Sequence, residues 1–121
     1  MTTTDQLLES ILKRVNDSGV FFDITLTVGG SIVAGKVVPQ STWLAAVGRA
    51  LTGSGEDMAV YAEDFTAASR AMSTEEFLHL ADAKLIFGQQ LPMPPSGGMM
   101  RFPVTAIDGW MVGRLAIEPA E

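Results

Sequence analysis

Phe22-Asp23-Ile24-Thr25-Leu26-Thr27-Val28-Gly29-Gly30-Ser31-Ile32-Val33-Ala34-Gly35-Lys36-Val37-Val38 decides the fold. Val20, Phe22, Ile24, Leu26 and Val28 alternate with Phe21, Asp23, Thr25 and Thr27, the period of a strand with one buried face. Gly29-Gly30 supplies the two positive φ angles of a type I′ turn. That turn sets Val28 opposite Ser31, Leu26 opposite Val33 and Ile24 opposite Gly35. Val33, Gly35 and Val37 then join the buried face, while Thr25, Thr27, Ile32, Ala34 and Lys36 share the other. A glycine facing Ile24 packs nothing itself, so it admits a sharp bend or a close neighbour.

Working outward, Leu7, Leu8, Ile11, Leu12 and Val15 recur at helical spacing ahead of the hairpin. Thr3 and Gln6 form a capping-box pair, and Gly19 is suited to the left-handed stop. After the hairpin, Pro39 introduces a helix with Trp43, Leu44, Val47, Ala50 and Leu51 as its apolar stripe. Thr52-Gly53-Ser54-Gly55 breaks it, and a second helix is expected over residues 56–72. Its early carboxylates and late Arg70 suit the helix dipole. Two strands follow, at residues 77–80 and 84–88, with Ala81-Asp82-Ala83 as a tight turn. Residues 91–98, rich in proline and closing on two glycines, read as a loop. Asp108-Gly109 turns a last hairpin, placing Phe102, Val104, Ala106, Met111, Gly113 and Leu115 on one face. The expected fold is a single α+β domain over residues 1–121. It has a small, strongly bent antiparallel sheet or barrel of about six strands, an N-terminal helix and a two-helix insertion.

The composition narrows the function classes. Apolar residues make up 47% of 121, enough for one core, and the formal net charge is −6. An acidic chain is repelled by phosphate backbones and anionic membranes unless its cations cluster, so nucleic acid and membrane are not the expected partners. Without cysteine there is no disulfide framework and no thiolate chemistry. The N-terminus shows no signal peptide, and no apolar run reaches the ~20 residues of a membrane span. These features imply a soluble cytoplasmic protein.

No residue pattern points to catalysis, and no cofactor or metal is expected. His79, the only histidine, alternates with Leu78 and Leu80, which places it on the polar side as a structural or exposed group. Glu63-Asp64 and Glu75-Glu76 are sequence neighbours and therefore point apart. Gly53-Ser54-Gly55 lacks a nucleophile-elbow context, and Gly29-Gly30-Ser31 lacks the Lys-Ser/Thr and the helix of a phosphate loop. Two surfaces remain. Lys36, Lys84, Arg101 and Arg114 lie on expected strands and could form an anion- or RNA-binding face, though with little aromatic interleaving. Met93, Pro94, Pro95, Met99 and Trp110 gather adaptable apolar side chains around the last hairpin, a candidate contact for a partner or a second subunit.

Taken together, the first hairpin, the helix with Trp43-Leu44, Phe77-Leu78-His79-Leu80-Ala81-Asp82-Ala83-Lys84-Leu85-Ile86 and Asp108-Gly109-Trp110-Met111-Val112-Gly113-Arg114-Leu115 resemble the gas vesicle GvpU family. The resemblance spans nearly the whole chain and rests on the order and spacing of these blocks. It implies a cytoplasmic, vesicle-associated accessory protein without catalytic residues. Such a protein would act in vesicle assembly or clustering, with vesicle proteins or itself as partner, as a homo-oligomer. One departure is the end at Glu121, without the polar Ser- and Lys-rich tail of the family, which implies weaker clustering or another role. A looser likeness is to the Sm-like small barrel, which implies edge-to-edge rings and, as the alternative function, RNA binding. The long insertion after Pro39 departs from that type.

Overall fold

The computed structural model describes residues 5–88 and 91–115. Helix α1 (Gln6–Ser18) buries Leu8, Leu12 and Val15 on the face their spacing defines, while Leu7 turns to solvent. Gly19 ends it in the left-handed region at φ 74, its N–H donating to the Val15 carbonyl. The N-cap is Asp5, whose carboxylate accepts from the N–H groups of Leu7 and Leu8. The expected capping residue Thr3 lies outside the described residues. Asp5 also accepts from the Trp110 indole at 2.8 Å, which ties the start of α1 to the far end of the chain. These donors, the indole foremost, hold the Asp5 carboxyl below its usual pKa. Asp5→Ala is therefore expected to lower the melting temperature by a few degrees and to alter Trp110 emission. Thermal unfolding followed by tryptophan fluorescence checks both.

Strands β1 (Phe22–Val28) and β2 (Ser31–Val37) pair in the register set by the Gly29-Gly30 turn, with Leu26 opposite Val33 and Ile24 opposite Gly35. The φ angles of the two glycines, 55° and 85°, are those the turn requires. Helix α2 (Gln40–Thr52) follows. The continuous second helix expected after it is instead a single turn, α3 (Glu56–Ala59), and α4 (Ala62–Ser69). α4 lies against α2 where Gly48 has no side chain: a Cβ there would stand 3.0 Å from the Thr66 hydroxyl.

Beyond the helices the expected strand pattern needs three corrections. The two short strands and their turn are one strand, β3 (Phe77–Ile86). Asp82 has the left-handed φ of 52° that a turn would need, but β2 pairs on both sides of it. The extra residue is therefore absorbed as a bulge, and the register shifts against both neighbours. The expected proline-rich loop is largely strand: β4 (Met93–Pro103) runs antiparallel to β3. Its prolines are tolerated because β4 is an edge strand. The expected last hairpin does not form. Val104–Ala106 make a 3₁₀ turn that buries Val104, and β5 (Gly109–Val112) adds to β1 instead of β4. Asp108-Gly109 is the entry to β5. The Asp108 N–H donates to the Thr27 carbonyl, and its carboxylate accepts from the Gly29 N–H at 2.8 Å.

Among the described residues the resulting sheet has five antiparallel strands in the order β4-β3-β2-β1-β5. It is neither closed nor strongly curled, so the six-stranded barrel is not formed. Two clusters flank it. On one face Leu8, Leu12 and Val15 of α1 meet Ile24, Leu26, Val33, Val37, Leu78, Leu80 and Val104. Each fully enclosed Leu or Ile contributes about 2 kcal/mol over leaving it in water. On the other face Val38, Trp43 and Leu44 pack with Val47, Phe65 and Ala81. The Trp43 indole donates to the Leu80 carbonyl at 3.1 Å, fixing α2 to β3.

Candidate interaction surface

The candidate apolar residues fall on both edges of the sheet. Met93, Pro94, Pro95 and Met99 belong to β4, with Met93 47% and Met99 40% exposed. Trp110 sits at the opposite edge, on β5, with three strands between it and β4, half-buried against the main core with its indole held by Asp5. The structure thus groups the β4 residues and gives Trp110 a separate anchoring contact.

The backbone of β4 adds what side chains alone do not show. The Val104 N–H donates to the Glu76 carbonyl. With the observed register, Met100 and Phe102 turn their N–H and C=O toward β3, while Met99, Arg101 and Pro103 turn theirs outward. Pro103 thus sits where a missing N–H breaks no bond to β3. Among the described residues no strand pairs with this outer side.

Three of the four cations are brought to one side: Lys36, Lys84 and Arg101 alternate onto the face turned away from α1, while Arg114 lies beyond the end of β5. Three of the four are engaged locally. Lys36 lies 3.9 Å from Asp82 and 5.1 Å from the Phe21 ring centre, Arg101 stacks 4.0 Å from that of Phe77, and Arg114 is 3.2 Å from Asp23. Partly exposed pairs of this kind hold little energy but do lower the charge offered to an anion.

His79 shares that face, yet it is not exposed: it is 2% accessible, under Trp43, with ring centroids 5.1 Å apart. The alternation is right, and α2 covers the position. Burial, with Arg101 adding to it, lowers its pKa to about 4, so the imidazole is neutral near pH 7. Its Nε2 has no hydrogen-bond partner among the described residues. Among the described residues no group of three or more His, Asp or Glu could hold a metal ion. An open groove of about 930 Å³ between α1 and the start of β3 is lined by Glu9, Glu75 and Glu76, with Lys13 as its cation. Lys13 is itself 3.3 Å from Asp17.

Residues 5–115 match the family model described as gas vesicle protein GvpU-like. The chain belongs to the GvpU-like family. No curated protein and no solved structure matches it. The GvpU-like family is a structural accessory family, not an enzyme family. None of the helices among the described residues is long and apolar enough to cross a membrane.

Within this GvpU-like chain, sequence reasoning found the methionines and prolines of residues 93–99 but missed that they form an edge. The signal was present. Prolines at 94, 95 and 103 within strand-forming sequence are compatible only with an edge or a bulge.

Proposed function

We propose that this protein is a non-catalytic accessory component of gas vesicles, acting in their assembly or clustering by self-association and by docking on vesicle proteins. The family match over residues 5–115 carries the reading. Its support in the molecule is the β4 side, where Met93, Pro94, Pro95 and Met99 offer adaptable apolar contact beside backbone groups that no strand among the described residues pairs. The alternative of an Sm-like RNA module loses its premise with the closed barrel, and three of its four cations already have neighbours.

Flotation tests the proposal. In a host making gas vesicles, the tagged protein is expected in the buoyant fraction, and its deletion is expected to disperse vesicles or lower their yield. A protein that stays wholly in the subnatant, with vesicle number and spacing unchanged on deletion, would overturn it.

A further inference from the structure

We propose that the protein forms a two-fold dimer by antiparallel pairing of β4 with β4 of a second copy, centred on Met100. The inference deepens the self-association reading above by naming the edge, the symmetry and the register.

Three observations select this edge. β4 has eleven residues against four in β5, and its outer N–H and C=O groups at Met99 and Arg101 have no partner among the described residues. Exposed edges are commonly guarded by Lys, by Glu or by proline. Here the prolines stand at 94, 95 and 103, leaving the interval between them open, and the Arg101 guanidinium is drawn back over Phe77. The charge pattern agrees. The chain carries a net −6, yet residues 83–107 contain no Asp or Glu. This is the part of an acidic molecule that a second copy can approach closely.

The odd number of strands selects the symmetry. In a five-stranded antiparallel sheet the two edges run in the same direction, so stacking copies side by side would pair β4 with β5 in parallel. Their outward backbone groups also belong to opposite faces. Met99 and Arg101 lie on the face away from α1. On β5, the Gly113 N–H donates to the Asp23 carbonyl, which leaves Trp110 and Val112, on the α1 face, pointing outward. A two-fold axis normal to the sheet at β4 removes both conflicts. It yields one ten-stranded antiparallel sheet with both α1 helices on the same face, an isologous and closed interface.

The side chains select the register. Centring on Arg101 would set two guanidiniums opposite each other, and like charges directly opposite are unfavourable. Centring on Met99 would pair Gly97, which is left-handed at φ 79 and not extended. Centring on Met100 sets Met99 against Arg101 of the second copy, each donating and accepting. It puts the two Met100 side chains in a non-hydrogen-bonded pair, with Cα atoms about 4.5 Å apart.

That spacing falls within disulfide range, and the chain has no native cysteine to confuse the result. Met100→Cys under mild oxidation is expected to give a covalent dimer as the main species, and Met111→Cys on β5 mostly monomer. Arg101→Pro, which removes an outward N–H as Pro103 already does, is expected to weaken dimerisation at least tenfold by sedimentation while the circular dichroism spectrum is kept. Three results would overturn the inference: a wild-type protein monomeric at all concentrations, an oligomer in which Met100→Cys does not cross-link, or a folded Arg101→Pro that dimerises normally. Failure of the accessory role is read separately, as loss of the wild-type protein from floated vesicles.

Discussion

Gly35→Val is expected to destabilise the protein by about 3 kcal/mol, the upper range for overpacking a filled interior. The melting temperature should fall by roughly 10 °C for a chain of this size. A Cβ at position 35 would lie 3.2 Å from the Ala83 Cα, 3.3 Å from the Ala81 carbonyl oxygen and 3.3 Å from the Leu80 Cβ. Two of these atoms are backbone and cannot rotate away, and valine adds two methyl groups beyond the Cβ. The strand cannot slide aside, because β2 is hydrogen-bonded between β1 and β3. The obstacle is the Asp82 bulge, which β4 also approaches from its side: a Cβ at Gly97 would come within 2.8 Å of the Asp82 Cα. Glycines thus flank the bulge on both neighbouring strands. Gly35→Ala should cost about 1 kcal/mol, since a Cβ alone asks its neighbours to give only a few tenths of an ångström. Urea unfolding of wild type, Gly35→Ala and Gly35→Val measures the series. Equal midpoints would show that the close approach at the bulge does not limit packing.

The same bulge shows where sequence reading reaches and where it stops. The register of the first hairpin was legible to the residue because its turn chemistry and its period-two pattern are both local and agree, although the strand starts at Phe22 and leaves the expected Val20 and Phe21 exposed. The α1 face, apart from Leu7, which was expected on it and is exposed, and the Gly19 stop were legible for the same reason. Ala81-Asp82-Ala83 reads as a turn because it separates two short apolar runs. Only the presence of β2 alongside makes it a bulge, and that is a long-range fact. Asp108-Gly109 failed likewise. The pair has hairpin chemistry, but Asp108 bonds to Thr27 and Gly29, about eighty positions earlier in the chain, and this draws β5 to β1.

The candidate surface followed a similar rule. Residue types located the methionines and prolines of β4, whereas their unpaired backbone side depends on strand order, which no local pattern encodes. Trp110 was grouped with them by closeness in a hairpin that does not exist, and its indole instead anchors the start of α1. Lys36, Lys84 and Arg101 do share a face, as alternation implies, but the neighbours that engage Lys36 and Arg114 come from other parts of the chain.

Acid should weaken this protein well above the range where carboxylates titrate, and His79 is the reason. In the folded chain the imidazole is enclosed beneath Trp43, and its pKa is lowered to about 4, first by burial and then by Arg101. In the unfolded chain it titrates near its ordinary 6.5. Between these values the unfolded state binds the extra proton, so stability falls as pH falls. It is complete above about pH 7 and smaller by about 2 kcal/mol at pH 5, approaching a loss of about 3 kcal/mol below pH 4. The loss loosens what α2 rests on, because Trp43 packs on this ring while its indole bonds to the Leu80 carbonyl. His79→Leu should abolish the slope between pH 5 and 7. It should also leave the protein at least as stable at pH 7, since the buried Nε2 has no partner to lose among the described residues. Urea midpoints of both proteins from pH 7.5 to 5 provide the measurement. A wild-type stability that is flat over that interval, or a slope that survives in His79→Leu, would mean that this imidazole does not stay neutral in the folded chain.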